Sequence, residues 1–201
     1  MQVSEWASTR KGNKEGMEQV KEGLVIFERL GRTAQQAEYL VSLATLPRRD
    51  EQFDAAEDAA SRAINLLPEK GNQTIVCYGR RVLGEICCSK GDTEKAVHHF
   101  EVTLGIASSL GLINQLFWIR FAMALLFFGQ DRFDDGHAHL ERAKSYAVND
   151  PCLLACASQA QAYVLVIQHR FEEAKPEALR ALDVFEKLGA ANDTEESRNF
   201  L

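Results

Sequence analysis

Small residues recur along this chain at a fixed distance, each beside apolar positions spaced for a helix. Ala44, Gly84, Ala124 and Ala162 follow one another at separations of 40, 40 and 38 residues. Twelve residues after each stands a second small residue: Ala56, Ala96, Gly136 or Ala174. Four and seven residues further on come Ala60 and Ala63, Phe100 and Thr103, Leu140 and Ala143, and Ala178 and Ala181. Three residues before the second small residue is Phe53, Thr93, Phe133 or Phe171. Offsets of zero, four and seven share one face of an α-helix. The gap of twelve between the paired small residues leaves room for a tight turn between antiparallel helices. Small residues at the facing positions let two backbones approach, while the phenylalanine plugs the turn. One such pair cannot bury its apolar face alone, but stacked pairs share a continuous core.

This cut predicts helices at 14–30, 34–47, 51–67, 73–89, 93–109, 112–128, 132–146, 151–168, 171–187 and 191–200. They group into a single array over 1–201. A lone second helix at 14–30 comes first, then pairs over 34–71, 73–111, 112–150 and 151–189, then the start of a further helix at 191–201. Gly31, Gly71, Gly111 and Gly189 follow apolar-periodic stretches, as left-handed C-terminal caps do. Asp50, Asp92 and Asp131 stand near the starts of second helices, where a carboxylate caps free N–H groups and meets the positive end of the dipole. Pro47 ends a first helix comfortably, whereas Pro176 falls inside a helix that it should kink or delay.

These residues resemble the tetratricopeptide repeats in their longer form of about forty residues. The small-residue pairs, Phe53, Phe133, Phe171, and Pro68 after a second helix match that repeat's pattern. Thr93 in place of the aromatic, Gly136 in place of alanine, and Gln161 and Pro47 at apolar places depart from it. The strings RLGRTAQQAEYL, AAEDAASRAINLLPEKG, CCSKGDTEKAVHHFE, QLFWIRFAMALLF, RFDDGHAHLERAKS and RFEEAKPEALRALDVFEKLGA look like the repeat tail of certain fungal proteins. In those proteins such arrays stand alone or follow a NACHT or NB-ARC nucleotide-binding domain, as in NLR-like receptors. The likeness runs from Leu30 to Asp193. It implies an all-α, right-handed superhelical solenoid of antiparallel helix pairs, with first helices lining a concave side.

Charge and composition narrow the partner. Lys and Arg number 23 against 29 Asp and Glu, a net charge of −6 that argues against a general nucleic-acid binder. The N-terminal stretch has no apolar core between a basic start and a cleavage site, so a cytoplasmic protein is expected. The most apolar window, 112–128, carries Asn114, Gln115 and Arg120 and falls short of the ~20 residues a membrane span needs. Five cysteines without a secretory signal read as reduced thiols.

Candidate chemistry is sparse. No G-x-x-x-x-G-K-[ST] occurs, and Gly12 and Gly16 lead into residues that cannot hold a phosphate as a P-loop does. Asp131, Asp134, Asp135, His137 and His139 form the densest polar cluster, but His137 lies nearly opposite His139 on a helix, so no metal site is expected. His98, His99 and His169 have no nucleophile partner nearby in sequence. Cys152 and Cys156 share a helix face and Cys87 and Cys88 are adjacent, yet no C-x-x-C pair occurs and buried apolar roles are expected. The expectation is therefore a chain that is not an enzyme and needs no cofactor.

What remains is surface. The family's geometry places a groove-facing row on each first helix. Here the rows are Glu38, Val41, Thr45 and Arg48; Tyr78, Arg81, Glu85 and Cys88; Trp118, Phe121, Leu125 and Phe128; and Cys156, Gln159, Tyr163 and Val166. Tyr78, Arg81, Glu85, Trp118, Phe121, Phe128, Gln159 and Tyr163 are the candidate partner-binding residues, with a protein or peptide as partner. For Trp118 the two readings, groove and core, both stand, since each face of its helix is apolar. Arg81 and Glu85, four apart, can also pair with each other. The Lys and Asn pattern that captures a C-terminal carboxylate is not visible. A sensing tail of an NTPase is the second function expected. Residues 1–13 supply only the end of a first helix and 195–201 the start of another. Self-association through an incomplete end, or a longer parent chain, follows from that reading.

Overall fold

The computed structural model of the chain describes residues 10–45, 53–67 and 71–200. Among the described residues there are ten helices and no strand. They are α1 (Arg10–Arg29), α2 (Thr33–Thr45), α3 (Phe53–Asn65), α4 (Gln73–Ser89), α5 (Thr93–Leu110), α6 (Ile113–Phe128), α7 (Phe133–Tyr146), α8 (Pro151–Ile167), α9 (Phe171–Leu188) and α10 (Ala191–Arg198). Each coincides with one drawn from the periodicity. The chain divides into two compact units, Met1–Leu112 and Ile113–Leu201. In the first unit α2 packs on α3, α4 on α5, and α2 also touches α4. In the second, α6 packs on α7, α8 on α9, and α6 also touches α8. First helix against next first helix is how helical repeats stack.

The core sits where the small residues predicted it. Ala44, Ala124, Ala162, Ala56, Ala96 and Ala174 are fully buried, as are Ala60, Phe100, Leu140, Ala178, Ala63, Thr103, Ala143 and Ala181. The two glycines of the set show why the spacing is tight. A Cβ on Gly84 would stand 2.6 Å from Phe100, and a Cβ on Gly136 would stand 2.3 Å from Phe128. In the second pair the first helix gives way to a phenylalanine on the second helix; in the third pair the roles are exchanged. Gly136, a departure from the repeat pattern, is thus the volume complement of Phe128. In the first and fourth pairs alanines stand at the places of Gly84 and Phe100: Ala44 with Ala60, and Ala162 with Ala178.

Turn chemistry corrects part of the sequence reading. Gly31, Gly111 and Gly189 have φ of +64°, +64° and +68°, and Gly91 has +78°. Seven residues after the small residue of the first helix, the turn needs a left-handed residue. Gly91 supplies it once, but Asp131 (φ 58°) and His169 (φ 59°) stand there in the next two pairs. Asp131 is therefore a turn residue and not the expected cap; the N-cap of α7 is Arg132, which makes no side-chain capping bond. Asp92 does cap α5, accepting from Lys95 N at 3.3 Å. Asn72 and Asp150 cap α4 and α8, which the sequence reading did not foresee. Asp50, Pro47 and Pro68 lie outside the described residues.

Three further corrections follow. Phe53 and Phe133 pack on the cores of their units, but Phe171 is exposed, its ring centroid 5.9 Å from that of His169. Pro176 does not delay α9, which starts at Phe171 and runs through it to Leu188. Residues 10–13, expected to close a first helix, belong to α1.

Gly136→Ala gains about 1 kcal/mol of helix propensity but overpacks Phe128 by about 1–3 kcal/mol, so urea unfolding should show a net loss. In a Phe128→Leu background the same change should become neutral or stabilising. His169→Gly relieves a left-handed non-glycine residue and should raise stability by about 0.5–1 kcal/mol in the same measurement.

Candidate functional site on the first helices

In the first unit the row on α4 turns inward. Arg81 and Glu85, one helical turn apart, bond to each other, and their side chains keep only 11% and 13% of their exposure. The Tyr78 ring lies under the guanidinium, 4.9 Å from its carbon, and packs on the unit's core. An ion pair this buried is held by its own partners, which makes it an architectural element of α4. Cys88, next on the row, has its thiol pushed up to about 11, first by burial and then by the Glu85 carboxylate. On α2, Glu38 is exposed and Thr45 half-buried, but Val41 is fully buried, so it cannot serve a groove. Arg48 lies outside the described residues.

In the second unit the aromatics of α6 form one cluster. Phe117 is fully buried and stacks on Phe121, centroids 5.7 Å apart and planes 16° apart. Trp118 sets its edge against both, at 5.1 Å and 5.7 Å. Trp118 and Phe121 are half-buried against the unit's core together with Cys156 of α8. They are at once core edge and surface. Leu125, one turn after Phe121, is 41% exposed.

Two expected groove residues are placed elsewhere. Phe128 is only 4% exposed, because it fills the space that Gly136 leaves open. Gln159 of α8 donates from Nε2 to the carbonyl of Asp193 and to Ser197 Oγ, both at 3.2 Å, so α10 occupies its face. Ser197, fully buried, and Thr194 show how closely α10 is held. Tyr163 stays 47% exposed with the Phe200 ring 6.1 Å away, and Ile167, four residues on, is 43% exposed. Ile167 was not among the candidates; its place one turn after Tyr163 was the signal.

The remaining chemistry is muted. Burial pushes the Cys77 thiol up to about 11 and the Cys156 thiol up to about 12, with the Cys152 sulfur and Asp193 adding to the latter. Protonated thiols are poor nucleophiles at neutral pH. His137 and His139 diverge as expected, the first against Phe128 and the second against Phe127. Among the described residues no three His, Cys, Asp or Glu gather where they could hold a metal ion. No described helix is long and apolar enough to cross a membrane.

The fold has solved neighbours. The crystal structure of BtubC (BKLC) from P. vanneervenii matches at a TM-score of 0.65 and 16% identity, covering 100% of this chain and 89% of that one. Aspartyl phosphate phosphatase F from Bacillus subtilis matches at a TM-score of 0.67 and 11% identity, covering 98% of this chain and 55% of that one. The chain thus spans about half the length of the phosphatase. Both are helical-repeat folds, and the likeness places this chain in that fold class, compatible with a tetratricopeptide array. No protein-family model matches the chain, and no curated protein matches its sequence.

Arg81→Ala leaves the Glu85 carboxylate buried beside an emptied space and should cost about 3 kcal/mol of stability. Replacing both by apolar residues (Arg81→Met with Glu85→Leu) should cost less than half as much in urea unfolding.

Proposed function

We propose that this chain is a non-catalytic, cytoplasmic scaffold of the tetratricopeptide type that binds a protein or peptide along its first-helix faces. One observation carries the reading: the first helices of the second unit keep an apolar stripe in reach of solvent. On α6 the half-buried Trp118 and Phe121 lead to exposed Leu125, and on α8 exposed Tyr163 leads to exposed Ile167. Successive residues of each stripe are three or four apart and so share a face. Aromatic side chains give large contact area at little entropic cost and dominate interface hot spots. An amphipathic or extended peptide with apolar anchors suits such a stripe. The net charge of −6 disfavours nucleic acid as the partner.

A second reading rests on the resemblance of the repeat strings to the tails of fungal NLR-like proteins: the array is a regulatory or sensing tail whose partner is a nucleotide-binding domain. The name of the Bacillus subtilis neighbour does not transfer, because at 11% identity the likeness is one of fold alone.

Peptides selected from a displayed random library against the protein provide the test. Leu125→Asp and Tyr163→Ala should each weaken the selected peptides by about 30-fold, equivalent to a hot spot of about 2 kcal/mol. Their unfolding free energy should stay within about 0.5 kcal/mol of the parent. Selected peptides that bind both variants as well as the parent would refute the site. Loss of binding to an NLR-like nucleotide-binding domain by the same variants would favour the second reading.

A further inference from the structure

The repeat register brings together polar residues that look unrelated in the sequence. Arg80 and Arg120 each stand four residues before the small residue of a first helix, Gly84 or Ala124. His99 and His139 each stand fifteen residues after it, on the second helix of the same pair. The corresponding residues are Leu40 and Ala59 in the first pair, and Ser158 and Glu177 in the fourth. Among the described residues, the buried side-chain atoms without a hydrogen-bond partner are His99 Nδ1, Arg120 Nε and Glu177 Oε2. All three belong to this one layer of the helix pair.

In the third pair, Arg120 Nη1 lies 3.3 Å from His139 Nδ1. A guanidinium only donates, so Nδ1 must accept, and the imidazole is neutral with its proton on Nε2. Taking up a proton at Nδ1 removes the acceptor, breaks that bond and sets two cations face to face. Arg132 and Asp135 are the other charges bearing on His139. They are committed to each other at 2.6 Å, and the Arg132 guanidinium lies over the Phe127 ring that His139 touches. In the second pair, Arg80 and the neighbouring His98 bear on His99, opposed by Glu57 of α3. Glu57 is already held by Lys90 at 2.7 Å. Among the described residues, the carboxylates bearing on the two imidazoles, Glu57 and Asp135, are both committed to other cations.

We propose that the Arg80–His99 and Arg120–His139 layers are an acid-sensitive latch: uptake of one proton by each imidazole loosens α5 from α4 in one unit and α7 from α6 in the other. Burial first, and then the arginine, hold both imidazoles below the ordinary histidine value. The unfolded chain titrates near ~6.5. As pH falls through that value the unfolded state binds protons before the folded one, so stability drops. The stability these groups contribute is complete above ~6.5 and is lost progressively until the folded-state values are passed. Acid would thereby open the packing from which the first helices project their side chains.

Two measurements test the latch. In an NMR titration of the parent protein, His99 and His139 should titrate below free imidazole, and Arg120→Met should move His139 upward while leaving His99 in place. Urea unfolding at about pH 7.5 and about pH 5.5, either side of the ~6.5 of free imidazole, should show a loss of stability in the parent. The His99→Gln/His139→Gln variant, neutral at both pH values, should lose less than half as much. If both histidines titrate at or above free imidazole, or if the variant keeps the parent's full acid loss, the latch is refuted. Should the double variant fail to fold, the titration of the parent decides alone.

Discussion

The fold depends on how closely two antiparallel helices can approach within a pair. Where Gly84 meets Phe100 and Gly136 meets Phe128, no room remains for even a single added methyl group. Backbones that approach so closely bury every residue on the facing rows and leave the other rows of each helix to neighbours or solvent. Interiors packed at this density cannot absorb volume locally, so a bulky residue on one helix is matched by a missing side chain on the other. The interchange between the second and third pairs follows from that single constraint.

The same closeness sorts the polar residues. Arg81 and Glu85 enter the interior of the first unit as a mutually bonded pair under which Tyr78 lies. Arg120 and His139 meet between α6 and α7 with one hydrogen bond and an unpartnered Nε. Both arrangements carry charge into helix interfaces, but they differ in consequence. The first joins opposite charges; the second needs an uncharged imidazole to accept the guanidinium's hydrogen bond. What is left at the surface of α6 and α8 is mostly apolar, and the proposed recognition surface is that remainder of the packing.

Much of the architecture was legible because it rests on short-range spacing. Small residues at forty-residue intervals located the pairs, and glycines following apolar stretches marked three helix ends that are left-handed. The errors share a cause: they required knowing which side chain meets which. Phe128 has the spacing of a groove residue, but Gly136 opposite it offers a space that only the three-dimensional pairing reveals. Gln159 looked available until α10 was seen to lie against it. Asp131 has the chemistry of a cap, yet it stands one position too early, where the turn demands a left-handed residue. The Arg–His layers are encoded at the forty-residue spacing, but a histidine's chemistry alone points to metal or nucleophile roles, and only the register pairs it with an arginine on the neighbouring helix.

The central claim is that packing within the helix pairs closes the core and leaves the α6 and α8 stripe for recognition. NMR chemical-shift mapping with a library-selected peptide tests it most directly. Perturbations should centre on Trp118, Phe121, Leu125, Tyr163 and Ile167 and leave the second helices α7 and α9 unmoved. Perturbations centred on α7 and α9, with those five residues unaffected, would contradict it.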